Sequence, residues 1–383
     1  MPPKQHPQNP EIPDLTLLLQ KEAQIDAHLA QANDTTLPYE EARHHLTETK
    51  RLKVELEIEL AKVSEKLVSP LERALNLKEQ YESQVKILED TGILQELKNG
   101  SLGIIDIEGN ESPIPTYEEV KKRVKENKEI LETKVAQGFT ELQLTPFGMS
   151  LDALHKKVGE NILKHYVGMQ DPNDPTKRIP NPNKTTLFAT KKDQNDPNEA
   201  LVPLPLDETT PLWIWEDGYK NADKNGTLVY EPKLFDKTNH QGKTKQEIIS
   251  TTGSWQISFL ENLPNLPVEG KGEMKKGRKQ LEAKKTPIDY LKTLQTDPQY
   301  ANEHGITPED WTIYFLTHLE KTNQVIDDWQ GNGKISWNLG GYFPESSVVP
   351  NAYWGRGDRQ ANAGCGDGGF ADSDFGARAR VRI

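Results

Sequence analysis

The residue types that could react or bind are concentrated at the C-terminal end of the chain, from Val349 to Ile383. This segment holds the only cysteine, Cys365, an Arg-Gly-Asp tripeptide at 356–358 and a GxGxxG pattern from Gly364 to Gly369. A cysteine can act as a nucleophile, and a glycine pattern of this kind can cradle the phosphates of a dinucleotide. The tripeptide is of the kind that mediates adhesion. Each of these functions requires a particular structural context.

The sequence around these motifs does not supply that context. A dinucleotide site needs a strand before the glycines and a helix after them, whereas Asp, Ser and a strand-like segment follow here. A catalytic thiol needs a neighbouring base in a shaped site, and the residues beside Cys365 offer none. The chain has no HExxH, no GxSxG and no Cys/His cluster with zinc-site spacing. We therefore expect no catalytic residue, no cofactor and no metal site.

The elements before this segment begin with helices. Residues 1–12 are rich in proline and polar side chains, which predicts a disordered tail. Helical periodicity dominates residues 13–138, with Leu46, Leu60 and Leu67 in one heptad row. Pro70 after Ser69 predicts the start of a new helix, and Thr116 with Glu119 predicts a capping box at a later one. The pattern predicts an all-α domain, either a bundle or a coiled coil. Two interpretations stay open: a stalk for oligomerisation or partner docking, and a self-contained bundle.

Residues 139–383 have a different pattern, which predicts an α+β domain. A strand and a helix come first, and residues 168–210 are rich in Pro, Asn and Asp, as in a loop-rich insertion. Short strands with tryptophan follow, together with helices predicted at 286–295 and 307–329. Thr307 is the predicted cap of the second helix and Pro308 its first residue, and "DDWQGNGK" is predicted to be a helix end with glycine turns. Such a domain spends much of its chain on loops, which a rigid scaffold can present to a ligand.

The composition excludes several classes of protein. The net charge of -12 argues against a general nucleic-acid binder, because a phosphate backbone is met by a basic surface. A single cysteine cannot form an intramolecular disulfide. No segment has the apolar length of a signal peptide or of a membrane span. The default expectation is a soluble cytoplasmic protein, and display on a cell surface or a virion stays open.

The C-terminal motifs resemble those of variable proteins that are diversified by retroelements. The shared features are the Gly-Gly strand in "GKISWNLGGYF", the turn and "RQA" element in "VPNAYWGRGDRQANAG", and the closing strand in "DSDFGARARVRI". Segments such as "LQLTPFGMSLDAL" and "GITPEDW" are similar to the scaffold of the same group, so that the resemblance covers about residues 139–383. It implies a C-type lectin fold of the kind seen in formylglycine-generating enzymes. Those enzymes use a pair of active-site cysteines, whereas this chain has only Cys365.

The residue types of the tail fit a diversity-generating retroelement, which copies a template with errors at adenines. An Asn codon altered at its first two bases encodes Asn, Asp, Gly, Ser, Tyr, Cys, Phe and several others, but never a stop. The residues predicted to vary and to contact ligand are Asn351, Tyr353, Gly355, Asp358, Asn362, Cys365, Asp367, Phe370, Asp374 and Phe375. The residues predicted to form a constant framework are Trp354, Arg356, Arg359, Gln360, Ala361, Gly376 and Arg378.

These observations together predict a non-enzymatic binding protein with a hypervariable C-terminal surface. Tyr and Phe supply contact area at low entropic cost, while Gly, Ser and Asn adapt and hydrogen-bond, as in antibody loops. The ligand would be a protein, and the N-terminal helices would form a homo-oligomer or dock the protein to a larger assembly. The Arg-Gly-Asp and GxGxxG patterns would then be accidents of one variant. The alternatives are a structural or phage-assembly protein with an undiversified lectin-like domain, and an enzyme of the formylglycine-generating type.

Overall fold

The computed structural model describes residues 15–167, 212–356 and 360–383, and between the first two ranges it describes four short strands. The internal contacts divide the chain into two units, Met1–Arg73 and Ala74–Ile383. Helices and strands are both well represented, which agrees with the α+β prediction. The predicted disordered tail at 1–12 and most of the predicted insertion at 168–210 lie outside the described residues.

The helices and strands are as follows. The helices are α1 (Leu15–Ala32), α2 (Tyr39–Leu67), α3 (Pro70–Leu75), α4 (Leu77–Asp90), α5 (Tyr117–Glu126), α6 (Lys128–Ala136), α7 (Leu151–Val167), α8 (Glu216–Tyr219), α9 (Ala222–Asn225), α10 (Lys245–Thr252), α11 (Pro287–Thr296) and α12 (Pro308–Thr322). The strands are β1 (Gln95–Glu96), β2 (Leu102–Ile105), β3 (Glu111–Pro113), β4 (Phe139–Thr145), β5 (Met169–Asp171), β6 (Asp174–Ile179), β7 (Ala189–Lys191), β8 (Leu201–Pro203), β9 (Leu212–Ile214), β10 (Val229–Tyr230), β11 (Gln256–Glu261), β12 (Met274–Lys275), β13 (Arg278–Lys279), β14 (His304–Gly305), β15 (Asp328–Trp329), β16 (Ile335–Trp337), β17 (Gly341–Tyr342), β18 (Val348–Gly355), β19 (Gln360–Asp367), β20 (Phe375–Ala377) and β21 (Ala379–Arg382).

The first unit is a hairpin of α1 and α2. Of its described side chains, Leu18 and Ile25 on α1 and Thr49 and Leu52 on α2 are buried. Leu46, which the heptad pattern placed in the packed seam, is instead 49% exposed. The difference arises because α2 has apolar residues on more than one side, and the side that includes Leu52 faces α1. The coiled-coil prediction therefore stays a prediction.

The segment 74–138 is not all-helical, which corrects the predicted all-α domain of residues 13–138. Strands β1, β2 and β3 form an antiparallel sheet between α4 and α5. This segment also belongs to the second unit, so that the contacts place the boundary after Arg73 and not after residue 138. The local signals were read correctly nonetheless: α3 begins at Pro70, and Thr116 forms a capping box with Glu119 at the start of α5.

The edge of strand β4 is satisfied by side chains of α4, which explains why α4 belongs to the second unit. Gln80 Oε1 accepts from the Leu142 N–H at 2.8 Å, and its Nε2 donates to the Thr140 carbonyl at 2.8 Å. One turn later, Gln84 Nε2 donates to the Leu142 carbonyl at 3.2 Å, and its Oε1 accepts from the Leu144 N–H. The two amides thus bond the strand as a neighbouring strand would.

The second unit is built on two main sheets with α12 packed against strands of both. One sheet has the order β14-β21-β11-β4, and the other has the order β20-β16-β18-β19-β9, with β15 beside β18. Helix α12 contacts β4 of the first sheet and β18 of the second, and it is buried over most of its length. Its start is as predicted, with Thr307 as N-cap and Pro308 as the first residue.

The predicted extension of this helix to residue 329 is wrong. The helix ends at Thr322, because Asn323 adopts a left-handed conformation with φ of 56°. Residues 328–329 form strand β15 instead, which carries Trp329 to the second sheet. Within the described residues, no helix combines the length and the apolarity that a membrane crossing would require.

The bonds between α4 and β4 generate the first testable prediction. Gln84→Met keeps the side chain's length but leaves a buried carbonyl and a buried N–H of β4 without partners, so we expect a loss of about 3 kcal/mol in the free energy of unfolding. Urea unfolding measures this change. Glu82→Met, at an exposed site on the same helix, should change the stability by less than about 0.5 kcal/mol. Equal midpoints for the two variants would contradict the proposed role of the amide.

Candidate ligand-binding surface

The predicted variable residues lie mainly on the antiparallel hairpin of β18 and β19. Tyr353 pairs with Asn362, and Asn351 pairs with Gly364. Because side chains alternate along a strand and directly paired residues share a face, Asn351, Tyr353 and Asn362 lie on one face of the sheet. Gly355 also belongs to this face and supplies no side chain. The intervening residues, including Trp354, point to the opposite face.

Two tryptophans from distant parts of the chain join this face. Trp213 on β9 pairs with Asn362 in parallel register, and its ring lies 3.7 Å from the position that a Cβ on Gly364 would occupy. Trp329 on β15 lies beside Gly355, and its ring meets the ring of Tyr353 with centroids 5.3 Å apart at 75°. We call the set of Trp213, Trp329, Tyr353, Asn351 and Asn362 the aromatic face.

The last predicted variable residues extend the aromatic face. Phe375 stacks on the ring of Trp337, which pairs with Asn351 in the neighbouring strand, with ring centroids 4.7 Å apart. Phe370 meets Phe375 edge to face, with ring centroids 5.4 Å apart. Asp374 Oδ1 accepts from Lys334 Nζ at 2.8 Å, and its Oδ2 accepts from the Trp329 indole at 3.2 Å. Lys334 and Trp329 hold the pKa of Asp374 below its ordinary value, so the carboxylate is charged at neutral pH.

The predicted variable residues differ in their access to solvent. Asp367 and Phe370 are exposed, while Tyr353, Asp374 and Phe375 are half-buried. Asn351 and Asn362 are each only 5% exposed, and Gly355 is buried. Asp358 lies outside the described residues. The accessible parts of this set are therefore the aromatic rings and the carboxylates, and the two amides are nearly covered.

Cys365 does not belong to the aromatic face, although it was predicted to contact ligand. It pairs with Pro350, so that its side chain lies on the opposite face of the hairpin from Asn351 and Tyr353. Burial raises the pKa of the Cys365 thiol to about 11, because the thiolate loses hydration there. The thiol is protonated at neutral pH and lacks the activation that a nucleophile requires.

The predicted framework residues lie mostly behind the aromatic face. Trp354 is buried and stacks against Phe315 of α12, with ring centroids 6.1 Å apart at 20°. Ala361 pairs directly with Trp354 and leaves room for its ring. Gly376 is buried where a Cβ would lie 3.1 Å from Leu266. Gln360 is half-buried at the start of β19, where it pairs with Gly355 and so lies on the same face as Tyr353, and Arg359 lies outside the described residues.

Arg378 is the framework residue with the most extensive contacts. Its guanidinium donates to both carboxylate oxygens of Asp327, at 3.0 and 2.5 Å, and to the carbonyls of Leu263 and Pro264. Asp327 also accepts from the Trp311 indole of α12 at 2.9 Å. The ion pair is nearly inaccessible to solvent on both sides. It therefore joins the closing segment of the chain, α12 and the loop that carries Trp329.

Arg356 forms a second Arg–Asp pair at the surface. Its partner is Asp328, the residue after Asp327. The Nε of Arg356 donates to Asp328 Oδ1 at 3.1 Å, and a second guanidinium nitrogen bonds the other carboxylate oxygen. The arginine side chain is 59% exposed. Hydrogen bonding to Asp328 raises the pKa of Arg356 above its ordinary value. Of the two adjacent aspartates, Asp327 thus forms a buried ion pair with Arg378, and Asp328 pairs with the exposed side chain of Arg356.

Three residues of this site were missed by sequence reasoning: Trp213, Asp327 and Trp329. A signal for two of them existed in "DDWQGNGK", which was read as the end of a helix. The loop turns sharply at Asp327 and Gln330, whose φ values are 49° and 65°. At Gly333 a Cβ would lie 2.2 Å from the Asp328 nitrogen, so only glycine fits this turn. Trp213 had no such local signal.

Comparison of the chain with protein-family models, with curated proteins and with solved structures found no match. The resemblance to variable proteins rests on the C-terminal motifs themselves.

The two Arg–Asp pairs generate the second prediction. Arg378→Lys keeps the charge but loses the planar fork that bonds Asp327 and two carbonyls, so we expect a loss of about 3 kcal/mol in stability. Arg356→Lys is the matched control at the exposed pair and should cost less than about 1 kcal/mol. Thermal and urea unfolding of the full chain compare the two. A loss for Arg356→Lys as large as that for Arg378→Lys would show that burial is not what distinguishes the pairs.

Proposed function

We propose that this protein is a non-enzymatic ligand-binding protein whose C-terminal surface is diversified by a retroelement. The domain from about residue 139 would have a C-type-lectin-like fold, and the aromatic face would contact varied protein ligands. The observation that carries the proposal is the separation of the two predicted sets of residues. Several predicted variable residues gather on one face with Trp213 and Trp329, while Trp354, Gly376 and Arg378 are buried behind it.

The separation is partial: Tyr353, Asp367, Phe370, Asp374 and Phe375 are exposed or half-buried, as repeated diversification requires, whereas Asn351, Asn362 and Gly355 are buried. A surface residue can change with little effect on stability, whereas a buried residue or a buried ion pair cannot. Tyr353 on the hairpin and Phe375 on β20 are half-buried rings at which a substitution would alter the contact area offered to a ligand. A Cβ at Gly364 would lie 3.0 Å from Asn351 Oδ1, and a Cβ at Gly366 would lie 2.6 Å from the Trp337 ring, so a side chain at either position would displace these neighbours and change the shape of the face.

The enzymatic alternative has no support at Cys365. A formylglycine-generating enzyme needs reactive thiols, and this thiol is protonated and points away from the aromatic face. The structural-protein alternative makes the same demands on the fold as the binding proposal does. The two differ in whether the tail varies between copies of the gene, which the experiment below measures.

The N-terminal hairpin supports self-association as the second part of the proposal. Val54 and Ile58 lie one turn apart on α2 and are 56% and 49% exposed. A two-helix hairpin has too little core for independent stability, and a second copy of this chain can cover these residues by forming a four-helix bundle. Several copies of a weak variable site on one oligomer would raise the avidity for ligand.

The third prediction concerns the gene. We expect that sequencing of the last hundred or so bases across many cells of the source population will show differences at the codons of the predicted variable residues, Tyr353 and Asn362 among them. The codons of Trp354 and Arg378 should be constant. A near-copy of the segment should lie beside a reverse-transcriptase gene. An invariant tail without a template copy would reject diversification and favour the structural alternative.

The fourth prediction concerns oligomerisation. We expect the full chain to be a dimer or a larger oligomer at micromolar concentration, as measured by size-exclusion chromatography with light scattering. Val54→Lys should shift the protein toward the monomer, because a charge would be buried without a partner in the helical interface. Glu41→Lys reverses a charge at an exposed position on the same helix, more than three turns from Val54, and should leave the oligomer intact. A monomeric wild-type chain would reject this part of the proposal.

A further inference from the structure

A pair of histidines bridges the two helices of the first unit. His28 on α1 and His45 on α2 are half-buried, and their Nδ1 atoms lie 2.9 Å apart. The ring centroids are 5.2 Å apart, and the ring planes are inclined by 39°. The pair lies at the helix contact, next to the buried residues Ile25 and Thr49 on the same faces. His44, the sequence neighbour of His45, is exposed.

The distance between the two nitrogens has a specific chemical meaning. Two neutral imidazoles at hydrogen-bond distance share one proton, so that one Nδ1 donates and the other offers its lone pair. A metal ion would accept both Nδ1 lone pairs once the donating ring changes to the tautomer that carries its proton on Nε2. With metal–nitrogen bonds of about 2.0–2.1 Å, two nitrogens 2.9 Å apart subtend about 90° at the metal, an angle that cis ligands adopt. Each ring must turn by about 45° from the direction of a linear hydrogen bond to aim its lone pair at that point.

We propose that His28 and His45 form a binding site for a divalent transition-metal ion such as Zn²⁺, Ni²⁺ or Cu²⁺. Imidazole nitrogen is a preferred ligand of these ions, whereas Mg²⁺ and Ca²⁺ prefer oxygen. Among the described residues no group of three or more His, Cys, Asp and Glu side chains could hold a metal ion. The site therefore supplies two nitrogens, and water completes the coordination.

Metal binding at this pair would act on the hairpin itself. The two ligands come from different helices, separated in sequence by the turn at 33–38. An ion that binds both imidazoles cross-links α1 to α2, and it stabilises the packed hairpin because the separated helices cannot offer both ligands together. The inference is independent of the ligand-binding proposal, since it involves no residue of the second unit.

The test uses the full chain, freed of metal with a chelator and titrated with Zn²⁺ at pH 7.5 by isothermal calorimetry. We expect one site per chain for which His28→Gln and His45→Gln each lower the Zn²⁺ affinity about tenfold or more, since one imidazole remains. His44→Gln is the matched control and should bind Zn²⁺ as the wild type does. Far-UV circular dichroism of each variant without metal checks that α1 and α2 are still formed.

A second measurement keeps the test valid if a variant loses its helical structure. Hydrogen exchange of the wild-type chain should show slower exchange in α1 and α2 when Zn²⁺ is added, with α12 unchanged. The proposal is overturned if the wild type shows no Zn²⁺ binding that slows exchange in these helices. It is equally overturned if folded His28→Gln and His45→Gln variants keep the wild-type affinity, since the ion would then bind elsewhere.

Discussion

The buried ion pair of Arg378 and Asp327 is the interaction on which the architecture of the C-terminal unit depends. Burying two charges is unfavourable unless the geometry lets each satisfy the other, and here a planar guanidinium meets both carboxylate oxygens. The remaining guanidinium N–H groups donate to the backbone carbonyls of Leu263 and Pro264, and the Asp327 carboxylate accepts a hydrogen bond from the Trp311 indole. Arg380, two residues later, pairs with Asp310 at the start of α12 through a single contact, with Nη1 2.6 Å from Oδ2. The closing segment is thereby attached to the central helix at two points.

This attachment has a direct effect on the aromatic face. Asp327 starts the turn that delivers Trp329, and Trp329 contacts both Tyr353 and Asp374. The ring that a ligand would meet is thus positioned by a charge pair that the ligand cannot reach. Strands β9, β15 and β20 all pair in parallel with their neighbours in the second sheet, so each arrives from a distant part of the chain. The hairpin of β18 and β19 has paired strands on both sides, which fix its register. Its outward side chains can therefore change while its backbone stays in place.

Short sequence signals predicted where several helices begin, but they did not predict which distant strands pair with each other. The caps at Thr116 and Thr307 and the helix start at Pro70 follow from the preferences of single residues. Membership of Trp213 in the site could not be predicted, because it depends on a parallel pairing with a strand almost 150 residues later. The side on which Cys365 lies likewise depends on strand register, which a glycine-rich segment specifies weakly. The division into variable and framework residues came from a resemblance, and it stays a prediction.

The two glutamines of α4 have a consequence for how this protein behaves among copies of itself. An uncovered edge strand is a template on which another chain can add a strand, and this is a common route to aggregation. Strand β4 is the last strand of its sheet, and the amides of Gln80 and Gln84 already bond the backbone groups along its edge. A protein whose opposite sheet is rebuilt with new side chains in each variant would gain from an edge closed in this way. Under the proposed diversification, helix α4 would let the aromatic face change while the edge of β4 stays closed to strand addition.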